Sequence, residues 1–276
     1  MRFYPDDFKN QMNIKNTIKC FSIVGTMIVG AFSPHPVHAV DSAQFPISKQ
    51  TFKKFFPNAN AVFTYEGLIQ AAAKYPSFLN QGSEEQVKSE LVAFLANAAH
   101  ETTGGWPTAP GGPYAWGLYF AQEVGCESGH CTQYTDPTSA YKPVAGQTYH
   151  GRGAMQLSWN YNYGQASEAI YGNANKLLQE PGLVATDPVL AWETAIWFWM
   201  TPQAPKPSAH EVVMGDPAAY KNDVFGETVN IINGGIECGH GMNPQLENRI
   251  GFYKHFAQLL GISVPTHLGE YCQNPN

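Results

Sequence analysis

The chain has 276 residues, of which 43% are hydrophobic, 13% aromatic and only 14% charged. That mix excludes a disordered chain and provides for a sizeable core. A net charge of −6 argues against nucleic acid as a partner.

In chain order, Lys15 and Lys19 precede an apolar run from Cys20 to Phe32, and "SPHPVHA" ends at Ala39. This is the layout of a secretory signal peptide over residues 1–39, with Met12 as an alternative start. The run is short for a membrane span, so no stable membrane association is expected. Cys20 has no small-residue lipobox before it and is an ordinary member of the run. Without residues 1–39 the chain keeps 12 basic against 20 acidic residues, a net of −8. It also keeps four cysteines, Cys126, Cys131, Cys238 and Cys272. An even number in a secreted chain suggests disulfides, with three connectivities open. Zinc is the competing reading of "CESGHC", but no second thiol pair follows at finger-like spacing.

Residues 40–276 read as one domain, mainly helical with long loops and no internal repeat. Phe52, Phe55 and Phe56 suggest a short helix in the lead-in. "YEGLIQAAAKYPSF" reads as helix up to Pro76. Ser83-Glu84-Glu85-Gln86 is a capping box that opens the next helix. Val87, Leu91, Phe94, Leu95 and Ala98 form its apolar stripe, Glu101 continues that face, and Gly104-Gly105 stop it. Residues 104–150 are loop, and a loop this long is usually functional. Asp187 and Pro188 open a helix that Pro202 closes. Residues 223–234 and 244–260 read as two more.

The chemistry centres on Glu101. A carboxyl on the buried face, in the last turn of a helix, is desolvated and sits at the negative end of the dipole. Both effects favour the proton, as a general acid requires. The plainer reading is a scaffold glutamate paired with a buried Arg. "HETTG" begins like a zincin motif, but Gly104 stands where the second His is needed. No Gly-x-Ser-x-Gly elbow or phosphate-binding loop occurs. Paired carboxylates remain. Glu123 lies 22 residues after Glu101 in polar surroundings and should ionise normally, which gives the division of labour of glycoside hydrolysis. Glu127 and Asp136 compete for the second role, and spacing does not choose among the three. "MQLSWNYNYG" concentrates Gln156, Ser158, Asn160, Tyr161, Asn162 and Tyr163, a density that suits sugar hydroxyls and ring faces. A surface turn with structural Asn side chains is the alternative.

"AFLANAAHETTGGW", "YHGRGAMQLSWNYNYG", "LVATDP", "TAIWFWMTPQAPKPSAH" and "NIINGGIECGHG…NRIGFYK" together resemble, block by block and in order, the plant-type chitinases of glycoside hydrolase family nineteen. The resemblance spans roughly residues 61–272. It implies a mainly helical, two-lobed, lysozyme-like fold with a sugar cleft. It implies a secreted endochitinase, without cofactor or metal, that cleaves β-1,4-linked N-acetylglucosamine with inversion and acts as a monomer. The Glu of "HETT", Glu101, is then the acid. Glu123 is the base, and Ser158 helps hold the attacking water. Gln156, Tyr161, Asn162, Lys206 and Asn233 contact sugar, Arg249 lies beside the acid in the binding site, and His100 and Glu237 support the site from behind. A peptidoglycan-cleaving lysin and an inactive chitin-binding protein are the alternatives.

Against the family pattern, Tyr119 replaces a Cys four residues before the base, and that bridge's other half near residue 60 is missing as well. A later Cys is also lacking while Cys126 is new. The resemblance therefore implies the pairings Cys126–Cys131 and Cys238–Cys272, in a loop 124–150 that is longer than usual. Tyr141 is the candidate replacement for a Trp that the family places there.

Overall fold

A computed structural model describes residues 45–127 and 129–275. Residues 1–39, read above as a signal peptide, lie outside the described residues. Eleven α-helices are found among the described residues: α1 Lys49–Phe55, α2 Tyr65–Ala72, α3 Glu84–Glu101, α4 Asn160–Tyr171, α5 Asn175–Gln179, α6 Leu183–Thr186, α7 Pro188–Met200, α8 Ala209–Met214, α9 Val224–Glu237, α10 Pro244–Leu260 and α11 Glu270–Gln273. Extended pairing among them is limited to isolated bridges, Gln122 with Arg152, Arg152 with Leu157 and Gln203 with Lys206. No helix among the described residues is long and apolar enough to cross a membrane.

The local signals set the helix starts. The Ser83 hydroxyl accepts from Gln86 N–H, and the Gln86 side chain accepts from Ser83 N–H, which closes the capping box of α3. Asp187 caps α7 through Val189 and Leu190 N–H, with Pro188 in the first turn. α2 ends at Ala72, short of the expected Pro76. The chain there tightens into i→i+3 bonds from Lys74 and Tyr75 because the approach to a proline disfavours helix. α4 falls on the stretch read as a sugar-binding segment or a turn; its first residue, Asn160, follows Trp159 at φ 75°.

Two hydrophobic cores give the two lobes. The larger gathers α1–α3 and α8–α10, with Phe55 stacked on Phe256 at 4.5 Å and Phe94 edge-on to Trp199 at 5.5 Å. The smaller contains Tyr149, Leu157, Tyr163, Leu177, Leu178 and Val184. Helix α7 serves both, placing Trp192, Ile196 and Trp199 in the first and Leu190 and Trp197 in the second. That is why its sequence is apolar nearly all round. In the first lobe α10 packs along α3, which brings Arg249 under Glu101.

Candidate active site

Glu101 is the last residue of α3. The helix stops where Gly104, at φ 72°, returns its N–H to His100 O at 2.7 Å. The side chain is 17% exposed and meets the fully buried Arg249. That guanidinium has three partners. Nε donates to Glu237 Oε2 at 2.8 Å, Nη1 to Asn97 Oδ1 at 2.9 Å, and Nη2 to Glu237 Oε1 at 2.6 Å and to Glu101 Oε1. Glu237 therefore takes the fork of the guanidinium, while Glu101 receives a single bond. Burial would raise the Glu237 carboxyl, but Arg249 holds it at about 2. Burial also opposes the charge of Arg249, yet the two carboxylates keep it protonated. Glu101 is raised, first by burial, with Arg249 opposing and Glu237 adding to the rise. Both early readings of Glu101 are thus present together, the desolvated acid and the partner of a buried Arg. His100 is pushed down to about 4 by burial and then by Arg249, so it is neutral at neutral pH; Nδ1 meets Asn248 Oδ1 at 2.8 Å.

The second carboxylate is tied to the same framework. Phe120 N–H donates to Thr102 O at 2.8 Å, and Leu118 N–H to the Thr102 hydroxyl at 2.8 Å. Glu123 follows three residues on, a reach of at most ~10 Å of extended chain. Residues 121–123 then run against "GRG", with Glu123 N–H to Gly151 O at 2.8 Å and Gly153 N–H to Ala121 O at 2.9 Å. Gly153 has φ 76°, and a Cβ there would stand 3.0 Å from Ala191 O, so only glycine lets this segment lie against α7.

Glu123 is half-buried, and its carboxyl lies above the ordinary range, contrary to the expectation from its polar neighbours. Burial raises its carboxyl, while hydrogen bonds from Tyr134 and Gly151 and the charge of Arg152 pull it back. The Tyr134 hydroxyl donates to Oε1 at 2.9 Å, and Gly151 N–H to Oε2 at 3.3 Å. Glu127 instead accepts from Gly125 N–H, and Asp136 closes a turn on Thr138. Neither rival carboxylate has such a setting.

The remaining residues line up along these elements. Ser158 donates to Gln156 O at 2.9 Å, Asn162 to Ser158 O at 3.0 Å, and Tyr161 stacks on Trp159 at 5.8 Å. Gln156, at φ 48°, donates to Gly153 O. Lys206 reaches α9 and donates to Asn230 O. Asn233 breaks the helical path of α9 and donates to Glu237 Oε1 at 2.7 Å, so it joins the Arg249 network. Tyr141 lies over Gly164 and donates to Glu168 at 2.6 Å, which fixes it to α4. Tyr119, where the family pattern has Cys, is exposed and edges against Trp116. Both implied disulfides are formed, Cys126–Cys131 and Cys238–Cys272, so the sulfurs of "CESGHC" are bonded to each other. Sequence reasoning missed Asn97, one turn before Glu101 on the same face, and Tyr134, for which no local signal exists.

Comparison with known proteins agrees with this geometry. The profile of the chitinase class I family matches residues 48–269. An endochitinase from Carica papaya is 48% identical over 224 residues, 79% of this chain and 89% of that protein. A protein from Hevea brasiliensis named inactive chitinase-like protein 1 is 42% identical over 83% of this chain and 75% of its own length. The crystal structure of chitinase C from Streptomyces griseus superposes with a TM-score of 0.66 at 38% identity, covering 80% of this chain and 95% of that one. With a family profile over most of its length and relatives this similar, the chain belongs to the class I chitinases, glycoside hydrolases with the lysozyme-like helical fold.

Proposed function

We propose that the protein is a secreted endochitinase that hydrolyses internal β-1,4 bonds of N-acetylglucosamine polymers with inversion. Glu101 is the general acid and Glu123 the general base. The observation that carries the assignment is the unequal sharing of Arg249. Glu237 takes two of its hydrogen bonds, so Glu101 can keep a proton on its second oxygen while still accepting from Nη2. When that proton passes to the glycosidic oxygen, the new carboxylate is met at once by the same guanidinium, with no reorganisation. On the other face of the sugar, Glu123 takes a proton from water as the water oxygen bonds to the anomeric carbon. Ser158 helps hold that water. Gln156, Tyr161, Asn162, Lys206 and Asn233 contact the chain of sugars.

The papaya and Streptomyces relatives are an endochitinase and a chitinase by name, which supports chitin as the substrate. Because one relative is named inactive, activity has to be measured directly. A reducing-end assay on colloidal chitin and on peptidoglycan, side by side, tests the reading. Release from chitin is expected; cleavage of peptidoglycan alone, or of neither, would overturn it. Secretion is supported by the signal-like segment 1–39 and the two disulfides. N-terminal sequencing of exported protein should begin at Val40.

A further inference from the structure

The surroundings of Glu123 contain a group that its role as a base does not by itself require. We propose that Tyr134 is a positioning residue for the general base: its hydroxyl holds the Glu123 carboxylate ionised and fixes the oxygen that faces the attacking water. The proposal rests on the reading of Glu123 as the base.

A half-buried carboxyl prefers its proton, and a protonated Glu123 cannot activate water. Something must favour the charged form. Arg152 is the nearby cation, but both of its terminal guanidinium nitrogens are turned to other partners. Nη1 donates to Thr148 O at 2.9 Å and to the Tyr163 hydroxyl at 2.9 Å, and Nη2 faces His150 Nδ1 at 3.3 Å. No ion pair to Glu123 is formed within the described residues. The neutral hydroxyl of Tyr134, at 2.9 Å from Oε1, makes the leading contribution, ahead of Gly151 N–H and the more distant charge of Arg152. A neutral donor stabilises the carboxylate without tying it into an ion pair, so the group remains basic enough to accept a proton. Each carboxylate oxygen has two lone-pair sites. Tyr134 on one oxygen and Gly151 N–H on the other leave a site for water on each.

Tyr134 is itself fixed from behind. Its ring meets Trp159 edge-on at 5.7 Å, and its carbonyl accepts from Asn160 N–H at 3.3 Å. Buried Asn160 also accepts from Asp136 N–H at 2.7 Å and donates to Asp136 O at 2.9 Å. The start of α4 therefore grips the loop and aims the hydroxyl. On the other flank the Cys126–Cys131 bridge lies against Glu123, with the carboxylate oxygen and both sulfurs within 4.8 Å of one another. The carboxyl is held between a disulfide and a phenol.

Tyr134→Phe tests the proposal, because it keeps the ring against Trp159 and removes only the hydroxyl. The melting temperature should be essentially unchanged, kcat should fall about ten-fold, the worth of one hydrogen bond to a charged group, and KM should hold. Loss of a bond to the charged form raises the carboxyl pKa. Activity that needs the carboxylate is lost as pH falls through that pKa, so the acid limb of kcat/KM should move to higher pH. A carbon-13 carboxyl titration of Glu123 should move the same way, and it reads the effect even in a variant too slow to assay. A raised KM with an unmoved acid limb would make Tyr134 a sugar contact and overturn the proposal. An unmoved carboxyl titration would overturn it too, whether or not the fold is weakened. Glu123→Gln is measured in parallel and should lose turnover. If it retains turnover, the assignment of the base fails, whatever Tyr134→Phe does.

Discussion

Glu237→Gln isolates the electrostatics of the acid. The substitution keeps the shape of the side chain that receives Arg249 Nε and Nη2, and removes its charge. Glu101 and Glu237 accept from the same Nη2 atom. Two acceptors on one nitrogen lie about 4.5 Å apart at ordinary hydrogen-bond lengths. At an effective dielectric of about 20, their repulsion is roughly 3–4 kcal/mol. Without it, Arg249 has Glu101 as its sole carboxylate partner, and Glu101 is driven to ionise. The sign follows. A general acid works while protonated and fails as pH rises through its pKa. Lowering that pKa moves the basic limb of kcat/KM to lower pH. At pH above the pKa of the wild-type acid, the protonated fraction, and kcat/KM with it, should fall about 100-fold, taking a little under 3 kcal/mol as effective after relaxation. The protein should also lose stability, because a buried charge is left with less compensation. The assay is a pH–rate profile on a soluble chitin oligomer, below the melting temperature of the variant. A destabilised enzyme with an unmoved basic limb would refute the reasoning: Glu237 would then be a structural partner of Arg249 with no hold on the acid.

Arg249→Ala should lower kcat far more than it raises KM, since the guanidinium serves the carboxylate that forms in the transition state; unchanged turnover with only a raised KM would contradict it. Glu101→Gln should abolish turnover while chitin-oligomer binding persists in calorimetry, and the wild-type enzyme should release the α-anomer first from a β linkage in proton NMR read before mutarotation. Opening Cys238–Cys272, which closes a separation of 34 residues, should cost roughly 3–4 kcal/mol in denaturant titrations, whereas opening Cys126–Cys131, with a separation of 5, should cost less in global stability.

The acid half of the site was legible because its signals are local. One capping box, one apolar stripe and one glycine stop define α3 to the residue on which it ends, Glu101. α7 was legible for the same reason, through Asp187 and Pro188. The partner of Glu101 was not legible from periodicity, since Arg249 arrives from a helix 148 positions away; only the order of motif blocks pointed to it. α4 escaped because no side chain caps it. Its start is set by Trp159 at positive φ and by the loop that Asn160 grips, which are tertiary facts. Glu123 failed most instructively. Its sequence neighbours are polar, yet it is half-buried, because residues 121–123, Tyr134, the Gly151–Arg152 segment and the Cys126–Cys131 bridge converge on it from separate stretches of chain.

That difference in construction has a mechanistic consequence. The acid stands on long helices, with its charge set by Arg249, Glu237 and Asn97, all from α3, α9 and α10. The base stands on a loop, with its charge set by a tyrosine, a backbone N–H and the flank of a disulfide. The two limbs of a pH–rate profile therefore report on two separate parts of the molecule. Substitutions in the 124–150 loop should move the acid limb and spare the basic one, and substitutions around Arg249 should do the reverse. The sequence departs from the family pattern it resembles in that same loop, through Cys126 and the added length, and just ahead of it at Tyr119.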